Sequence, residues 1–288
     1  MTHANAGRLV LWMSGALLSF STIAVSIRAL SGVLNVFEIL ALRSLSGVII
    51  LSGLLVVRPV LRQHVVFRRM GLQVVRNIVH FAGQAAWALG ITLLPLAAAF
   101  ALEFTAPAWV AVFAVLLLGE RLTASRVGAV VLGFIGVIVI LHPGYGTFKP
   151  EALIMLGAAI GFALAIIATK KLTATESTFT ILLWMNVLQL PMNLAGSHPL
   201  FLLKLDMATL LPAVGVGLAG LASHFCLTNA FRHGDATIVV PLDFLRIPLI
   251  GVVGWSLYGE PLDPLVFVGA GFIIVGVLWN LRAETARR

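Results

Sequence analysis

Long apolar stretches recur along the whole 288-residue chain, and short segments rich in Pro, Gly and charge separate them. Each stretch has about 20 residues, the length at which an α-helix crosses a hydrocarbon core of roughly 30 Å. A membrane β-barrel would instead show short alternating segments, and the sequence has none. The pattern predicts an all-α integral membrane protein with ten transmembrane helices, near 9–27, 36–57, 71–92, 95–118, 125–142, 152–169, 177–196, 208–229, 236–258 and 263–281.

Composition and charge agree with this interpretation. Hydrophobic residues make up 60% of the chain and charged residues 10%, too little charge to cover a soluble protein of this length. If the ten spans alternate, 13 of the 19 Lys and Arg residues fall on the side of both termini, 3 on the other side and 3 within spans. This positive-inside bias predicts a multi-pass protein of a bacterial-type cytoplasmic (inner) membrane with both termini cytoplasmic. Membrane topology and contact with anionic lipid then explain the net charge of +8, and binding of nucleic acid is not needed to explain it.

The first span resembles a signal peptide in position. It is long for the apolar region of such a peptide, and nine more spans follow, so we expect an uncleaved first helix.

The two halves of the chain resemble each other at a constant offset of 140 residues. Glu103 falls on Asp243, and LLLGERL (116–122) falls on SLYGEPL (256–262). The turn-rich segment HPGYGTFKPE (142–151) lies between the halves, which predicts units at 1–146 and 147–288. Each unit holds five spans, an odd number, so the second must enter the membrane inverted. Inverted repeats around a central cavity are typical of secondary transporters.

Two segments carry a family resemblance: RLTASRVGAVVLGFIGVIVI (121–140), which follows a Gly-Glu pair, and GEPLDPLVFVGAGFIIVGVLW (259–279). They resemble the EamA repeat of the drug/metabolite transporter superfamily, and the resemblance covers essentially the whole chain as two units. It implies ten helices, an inverted repeat and a central cavity for a small solute. Bacterial members include exporters of amino acids and related metabolites, and the chain resembles the YddG-type amino acid exporters among them.

The third span has one polar side. At about 100° per residue, six side chains fall within roughly a 100° arc: Gln73, Arg76, Asn77, His80, Gln84 and Trp87. Amide and imidazole groups left unpaired in hydrocarbon cost several kcal/mol each, so this side must face protein or water. It either joins helices by hydrogen bonds or lines a solute path, and the length of the row favours the path. Arg76 lies near the cytoplasmic end, where an arginine can also snorkel.

Other spans offer polar positions that match this row. Asn186, Gln189 and Asn193 share a side of the seventh span. The predicted substrate contacts come from the first, third and eighth spans: Trp12, Ser19, Thr22, Asn77, His80, Gln84, Trp87 and His224. His80 and His224 are also the candidates for proton coupling, because imidazole titrates near neutral pH. Small residues in this set, Ser19 and Thr22, have a simpler alternative role, because small side chains let helices approach closely.

Four charged residues lie deep within predicted spans: Arg43, Glu103, Asp243 and Arg246. An unpaired charge at the bilayer centre costs about 2.5–3.5 kcal/mol on insertion scales, so pairing is expected. Asp243 and Arg246 are three residues apart on one helix side, and Glu103 is then predicted to pair with Arg43. These groups either form structural ion pairs or bind substrate or a coupling proton. Pro241 and Pro248 lie on either side of Asp243 and Arg246 and predict a bend of the ninth span there.

The sequence therefore predicts a secondary transporter that exports small metabolites, most simply amino acids, by alternating access, as a monomer in the lipid bilayer. One alternative is a proton-coupled multidrug exporter of lipophilic cations, and facilitated diffusion also fits. A membrane-embedded enzyme is a third class, but the chain has no HExxH motif, paired-Asp cluster or P-loop. We expect no catalytic residues, metal or cofactor, and Cys226, the single cysteine, excludes an intramolecular disulfide.

Overall fold

A computed structural model describes residues 3–118, 123–141, 150–173, 175–233 and 242–286. Within these ranges the chain is helical and has no β-strand. The α-helices are α1 (His3–Leu30), α2 (Val36–Val57), α3 (Met70–Leu93), α4 (Leu96–Glu103), α5 (Ala106–Leu118), α6 (Ala124–Leu141), α7 (Glu151–Thr173), α8 (Thr178–Ala195), α9 (Met207–His233), α10 (Arg246–Tyr258) and α11 (Pro264–Thr285). Two short 3₁₀ helices, Pro59–His64 and Phe201–Lys204, lie in connections.

Length and hydropathy make this helical set suited to a membrane. Among the residues that the structure describes, six helical stretches are long and apolar enough to cross a membrane, and two shorter apolar helices lie at Val127–Ile140 and Pro264–Asn280. Large apolar side chains such as Val57 and Leu211 are exposed, which suits a surface that faces lipid. The predicted membrane class is confirmed. The count of ten stays a prediction, because part of the ninth predicted span lies outside the described residues.

Side-chain caps fix where helices begin. Before α2, the Asn35 side chain accepts a hydrogen bond from Glu38 N (2.9 Å), and the Glu38 carboxylate accepts one from Asn35 N (2.8 Å). This reciprocal capping box satisfies two backbone N–H groups near the helix start. Before α9, Asp206 Oδ1 accepts from Thr209 N (2.9 Å) and from the Thr209 hydroxyl (2.7 Å). These hydrogen bonds, the hydroxyl foremost, lower the pKa of Asp206.

The fourth predicted span, 95–118, is two helices and not one. α4 ends at Glu103, and a turn at 104–105 leads into α5. An equivalent turn at 244–245 precedes α10, 140 residues later, so a bend lies beside Asp243 as predicted. Pro248 occupies the first turn of α10, where it has no N–H to donate to the carbonyl of Phe244 and cannot continue a helix from before the turn. Pro241 lies outside the described residues.

The helices pack as pairs. α1 packs against α9, α3 against α7, α2 against α8, α4 against α10, and α6 against α11. Glycines allow the closest approaches: a Cβ on Gly161 of α7 would lie 2.8 Å from Gly83 Cα of α3. A Cβ on Gly136 of α6 would lie 2.5 Å from the carbonyl oxygen of Gly269 in α11. Lipid tails are as apolar as the helix surfaces, so the hydrophobic effect does not hold the helices together. Van der Waals contacts at such close approaches stabilise the pairs instead.

An ion pair joins three helix connections at one end of the protein. The Arg28 guanidinium pairs with the Glu260 carboxylate and donates to the carbonyls of Ile91 (3.0 Å from Nε) and Leu94. Glu260 Oε2 also accepts from Leu96 N (2.8 Å), in the first turn of α4. The Glu260 carboxylate thus pairs with an arginine and caps the start of α4. Glu120, its counterpart, lies outside the described residues.

Candidate solute-binding site

The polar side of α3 points into the protein. Its six residues are buried: Gln73, Arg76, Asn77, His80, Gln84 and Trp87. On the opposite side Val74, Val75 and Ile78 are exposed. α3 is surrounded by α1, α2, α4, α7 and α8, which cover the polar side. The expectation that this side cannot face hydrocarbon is confirmed.

A hydrogen-bond network links the middle of α3 to α8. Gln189 Nε2 donates to Asn77 Oδ1 (3.1 Å) and lies 2.9 Å from His80 Nδ1, which accepts from it. Asn77 Oδ1 also accepts from Arg76 Nη1 (3.0 Å), and Arg76 Nε donates to the Thr169 hydroxyl of α7 (3.2 Å). The network holds the side chains of three helices in one arrangement. The predicted substrate contacts omitted Gln189, although its place in the polar row of the seventh span was a usable signal.

Arg43 and His224 meet between α2 and α9. Arg43 Nη2 donates to His224 Nε2 across 3.3 Å. Gly220 makes room for this, since a Cβ there would lie 2.8 Å from Arg43 Nε. The predicted pair of Arg43 with Glu103 is wrong. Arg43 instead lies half-buried against a neutral hydrogen-bond acceptor.

A second polar cluster contains two carboxylates, those of Glu103 and Asp243. Arg246 donates to both oxygens of Asp243 (2.5 and 2.7 Å), which confirms the predicted pair, and its Nη1 lies 3.3 Å from Glu103 Oε1. Trp87 Nε1 donates to Glu103 Oε2 (2.7 Å). The guanidinium also lies 3.8 Å from the ring centre of Phe20 in α1, a cation–π contact. The turns after Glu103 and Asp243 place the two carboxylates so that one arginine serves both.

Gln84 lies on the polar side of α3 between the residues of these two clusters, one turn from His80 and one from Trp87. Its side chain is buried, and neither its amide oxygen nor its amide nitrogen has a hydrogen-bond partner. A buried amide without partners is costly in a finished fold. The Gln84 amide is therefore a candidate hydrogen-bonding group for a polar solute.

The α1 residues predicted to contact substrate have other surroundings. Trp12 packs edge-on against Phe225 at 5.6 Å between ring centres. The Thr22 hydroxyl is exposed and donates to its own helix at Leu18 O (2.8 Å), and Ser19 is half-buried. The α1 residue seen at a polar cluster is Phe20, which lies against Arg246. No sequence signal distinguished Phe20 from the other apolar residues of this helix.

Within the described residues, the helical fold, its exposed apolar helix sides and its buried polar row define a multi-pass membrane protein. The sequence pattern of the EamA-like transporter family matches residues 7–142 and, a second time, 149–282. The chain belongs to this family, as the resemblance indicated. The family consists of transporters and not of enzymes, which confirms the corresponding prediction.

Characterised relatives differ in what they carry. The chain is 31% identical to a riboflavin transporter of Rhizobium johnstonii over 74% of this chain and 70% of the relative. It is 29% identical to an S-adenosylmethionine uptake transporter of Rickettsia prowazekii over 74% and 72%. It is 26% identical to the pseudopaline exporter CntI of Pseudomonas aeruginosa over 94% and 96%. A solved crystal structure that shares 18% identity superimposes over 97% of both chains with a TM-score of 0.62, which supports the fold alone.

Proposed function

We propose that this protein is a secondary transporter that exports small polar metabolites, with amino acids as the first substrates to test, by alternating access. The observation that supports this proposal is the state of Gln84. Its buried amide has no hydrogen-bond partner, and it lies on the polar side of α3 between two polar clusters. A buried polar side chain with a structural role normally has hydrogen-bond partners, as the Gln189 amide nitrogen does on α8. A polar group that binds solute is expected to lack such partners until solute binds.

Two inverted five-helix units, 1–146 and 147–288, are part of the proposal. The family pattern matches twice, and the helix breaks follow Glu103 and Asp243 at the same offset. The helix pairs also fit an exchange of halves. The first and eighth predicted spans pack as α1 with α9, and the third and sixth, their exchanged counterparts, pack as α3 with α7. Such a pseudo-symmetric pair of units can alternate between inward- and outward-open states.

The proposed orientation places both termini in the cytoplasm of a bacterial-type cell. Described contacts between connections join residues that ten alternating spans put on one side. Arg28 meets Glu260 on the predicted periplasmic side. Arg69 donates to the carbonyl of Lys171 (3.0 Å) on the predicted cytoplasmic side. These contacts support alternation, and the charge bias supports its direction.

Substrate and direction are the finer parts of the proposal. The relatives are named for uptake of one metabolite and export of another, so the family accommodates both directions and varied solutes. Amide, imidazole, indole and guanidinium groups together suit an amphoteric solute such as an amino acid. The lipophilic-cation alternative needs an available carboxylate, whereas Glu103 and Asp243 both bind Arg246.

Counterflow in proteoliposomes tests the proposal. The purified protein should exchange at least one labelled amino acid, and His80→Ala or Gln84→Ala should lower the flux about tenfold with expression unchanged. Val75→Ala, on the exposed side of the same helix, is the matched control and should transport like wild type. Absence of flux under every gradient, for amino acids and for the relatives' solutes alike, would refute the transporter role proposed here.

A further inference from the structure

The arginines of the described interior differ in whether a carboxylate pairs with them. Arg246 has two carboxylate partners, Asp243 and Glu103. Arg43 has His224 as its hydrogen-bond partner. Arg76 donates to two neutral oxygens, those of Thr169 and Asn77. Within the described part of the chain, neither Arg43 nor Arg76 forms an ion pair with a carboxylate.

Each of these arginines lies in a hydrogen-bond arrangement that includes a histidine. Arg43 Nη2 lies 3.3 Å from His224 Nε2, and Arg76 donates to Asn77 Oδ1, which Gln189 links to His80. A charge held away from water without a counter-charge is costly. Glu176 reaches the same side of α3, but its carboxylate binds the Gln73 amide and not Arg76. The described chain thus assembles a positive site without supplying its counter-charge.

Gln84 extends this site. It lies one helical turn beyond His80 on the same side of α3, and its amide nitrogen has no acceptor. An oxyanion is an acceptor for guanidinium N–H groups and for an amide N–H alike. Guanidinium groups bind carboxylate and phosphate through paired, charge-assisted hydrogen bonds.

We propose that Arg43, with His224 beside it, binds an oxyanion group of the transported solute, and that Gln84 donates a hydrogen bond to the same solute. The inference rests on the proposed transport function and names its substrate class: a metabolite with a carboxylate or a phosphate. The opposite cluster, with its aromatic rings and its arginine already neutralised, takes the uncharged or cationic part of the molecule.

The first experiment uses the ligand-free, full-length protein in detergent. Arg43→Gln removes a charge that has no counter-charge, so its melting temperature should equal or exceed that of wild type. Arg246→Gln is the matched control, because it strands two carboxylates and should lower the melting temperature by several degrees. A fall for Arg43→Gln as large as that for Arg246→Gln would make Arg43 a structural residue and overturn the proposal.

The second experiment compares probes that differ in the oxyanion alone. Phenylalanine is paired with phenylalaninamide to test carboxylate, and riboflavin 5′-phosphate with riboflavin to test phosphate. In thermal-shift titrations the anionic member of the responding pair should bind wild type about tenfold or more tightly, and Arg43→Gln should abolish the difference. Equal binding of both members, unchanged preference in Arg43→Gln, or no response to any of the four probes overturns the proposal.

Counterflow of the same probes separates the two claims. Flux that ignores the oxyanion and survives Arg43→Gln removes the anion site and leaves the transporter intact. Anion-dependent binding that Arg43→Gln abolishes, without flux of any solute, keeps the site and removes the transport function.

Discussion

Two glutamines on neighbouring helices show how burial and hydrogen bonding separate at the residue scale. Gln189 is buried and donates to Asn77 and His80. Gln84 is 5% exposed, and neither amide atom has a partner. Both residues are buried glutamines, so the difference in their hydrogen bonding comes from the side chains that surround them. The satisfied glutamine stabilises the fold, whereas the other carries a desolvation cost that a bound solute can offset.

The matched substitutions Gln84→Leu and Gln189→Leu test this difference. Gln84→Leu removes an unsatisfied amide and should raise the free energy of unfolding by about 1 kcal/mol while lowering transport. Gln189→Leu takes away the donor at His80 Nδ1 and should lower that free energy by about 1–3 kcal/mol. Thermal unfolding in detergent measures both. Equal destabilisation by the two substitutions would mean that Gln84 has a structural partner.

Sharing of Arg246 by two carboxylates predicts strong coupling between them. Either Glu103→Gln or Asp243→Asn leaves Arg246 with one carboxylate, so each single change should cost about 1 kcal/mol or less. The double variant strands the guanidinium in the interior and should cost about 3–5 kcal/mol. A double-mutant cycle on the unfolding free energy measures the coupling. Additive losses would show that the three groups do not act as one unit.

At the scale of elements, the sequence predicted most helices and missed the interruption of one. α2, predicted at 36–57, is found at Val36–Val57, because its ends carry a capping box and a charged connection. The break between α4 and α5 falls at Phe104 and Thr105, just before Pro107 in the first turn of α5. Pro107 has no N–H to donate to the carbonyl of Glu103, so it cannot continue α4. Hydrophobic periodicity does not show such a break, because the apolar pattern runs through it.

The difference between spacing within one helix and packing between helices explains which parts of the site could be predicted. The buried side of α3 follows from residue spacing within one helix, and so does the pair of Asp243 with Arg246, three residues apart. Partners on different helices depend on packing, so the choice of Glu103 for Arg43 was wrong. The missing partner of Gln84 is likewise a property of the folded surroundings alone.

The crossing of α3 and α7 predicts different outcomes for two glycines of one helix. A Cβ at Gly161 would lie 2.8 Å from Gly83 Cα, so Gly161→Ala must push the helices apart and should cost about 1–3 kcal/mol. Gly157, four residues earlier, has open space where its Cβ would be. Gly157→Ala should therefore be neutral or slightly stabilising, because alanine favours helix. Melting temperatures compare the two, and similar losses would contradict the tight crossing.

At the scale of the whole molecule, alternation of the spans and the charge bias together set orientation. Exposed positions on opposite predicted sides allow a direct test. Arg62 lies in the first 3₁₀ helix, on the predicted cytoplasmic side, and Leu203 in the second, on the predicted periplasmic side. Both side chains are exposed, so a thiol at either position should react wherever reagent reaches it.

Single cysteines in a Cys226→Ser background should therefore label asymmetrically. A membrane-impermeant thiol reagent added to intact cells should modify Leu203→Cys and spare Arg62→Cys, whereas permeabilised cells should show both. The reverse pattern would invert the proposed orientation. Labelling of both positions from outside would show that the spans do not alternate as predicted.

The glycine crossing of α3 with α7 also has a mechanical consequence. Backbones in direct contact leave no side chains between them that could rearrange, so we expect α3 and α7 to move together in the alternating-access cycle proposed above. We then expect α3 to separate from α8, where Gln189 donates to Asn77 and His80. In an alternating-access cycle, the release of those two acceptors by a single amide becomes a step through which every turnover passes.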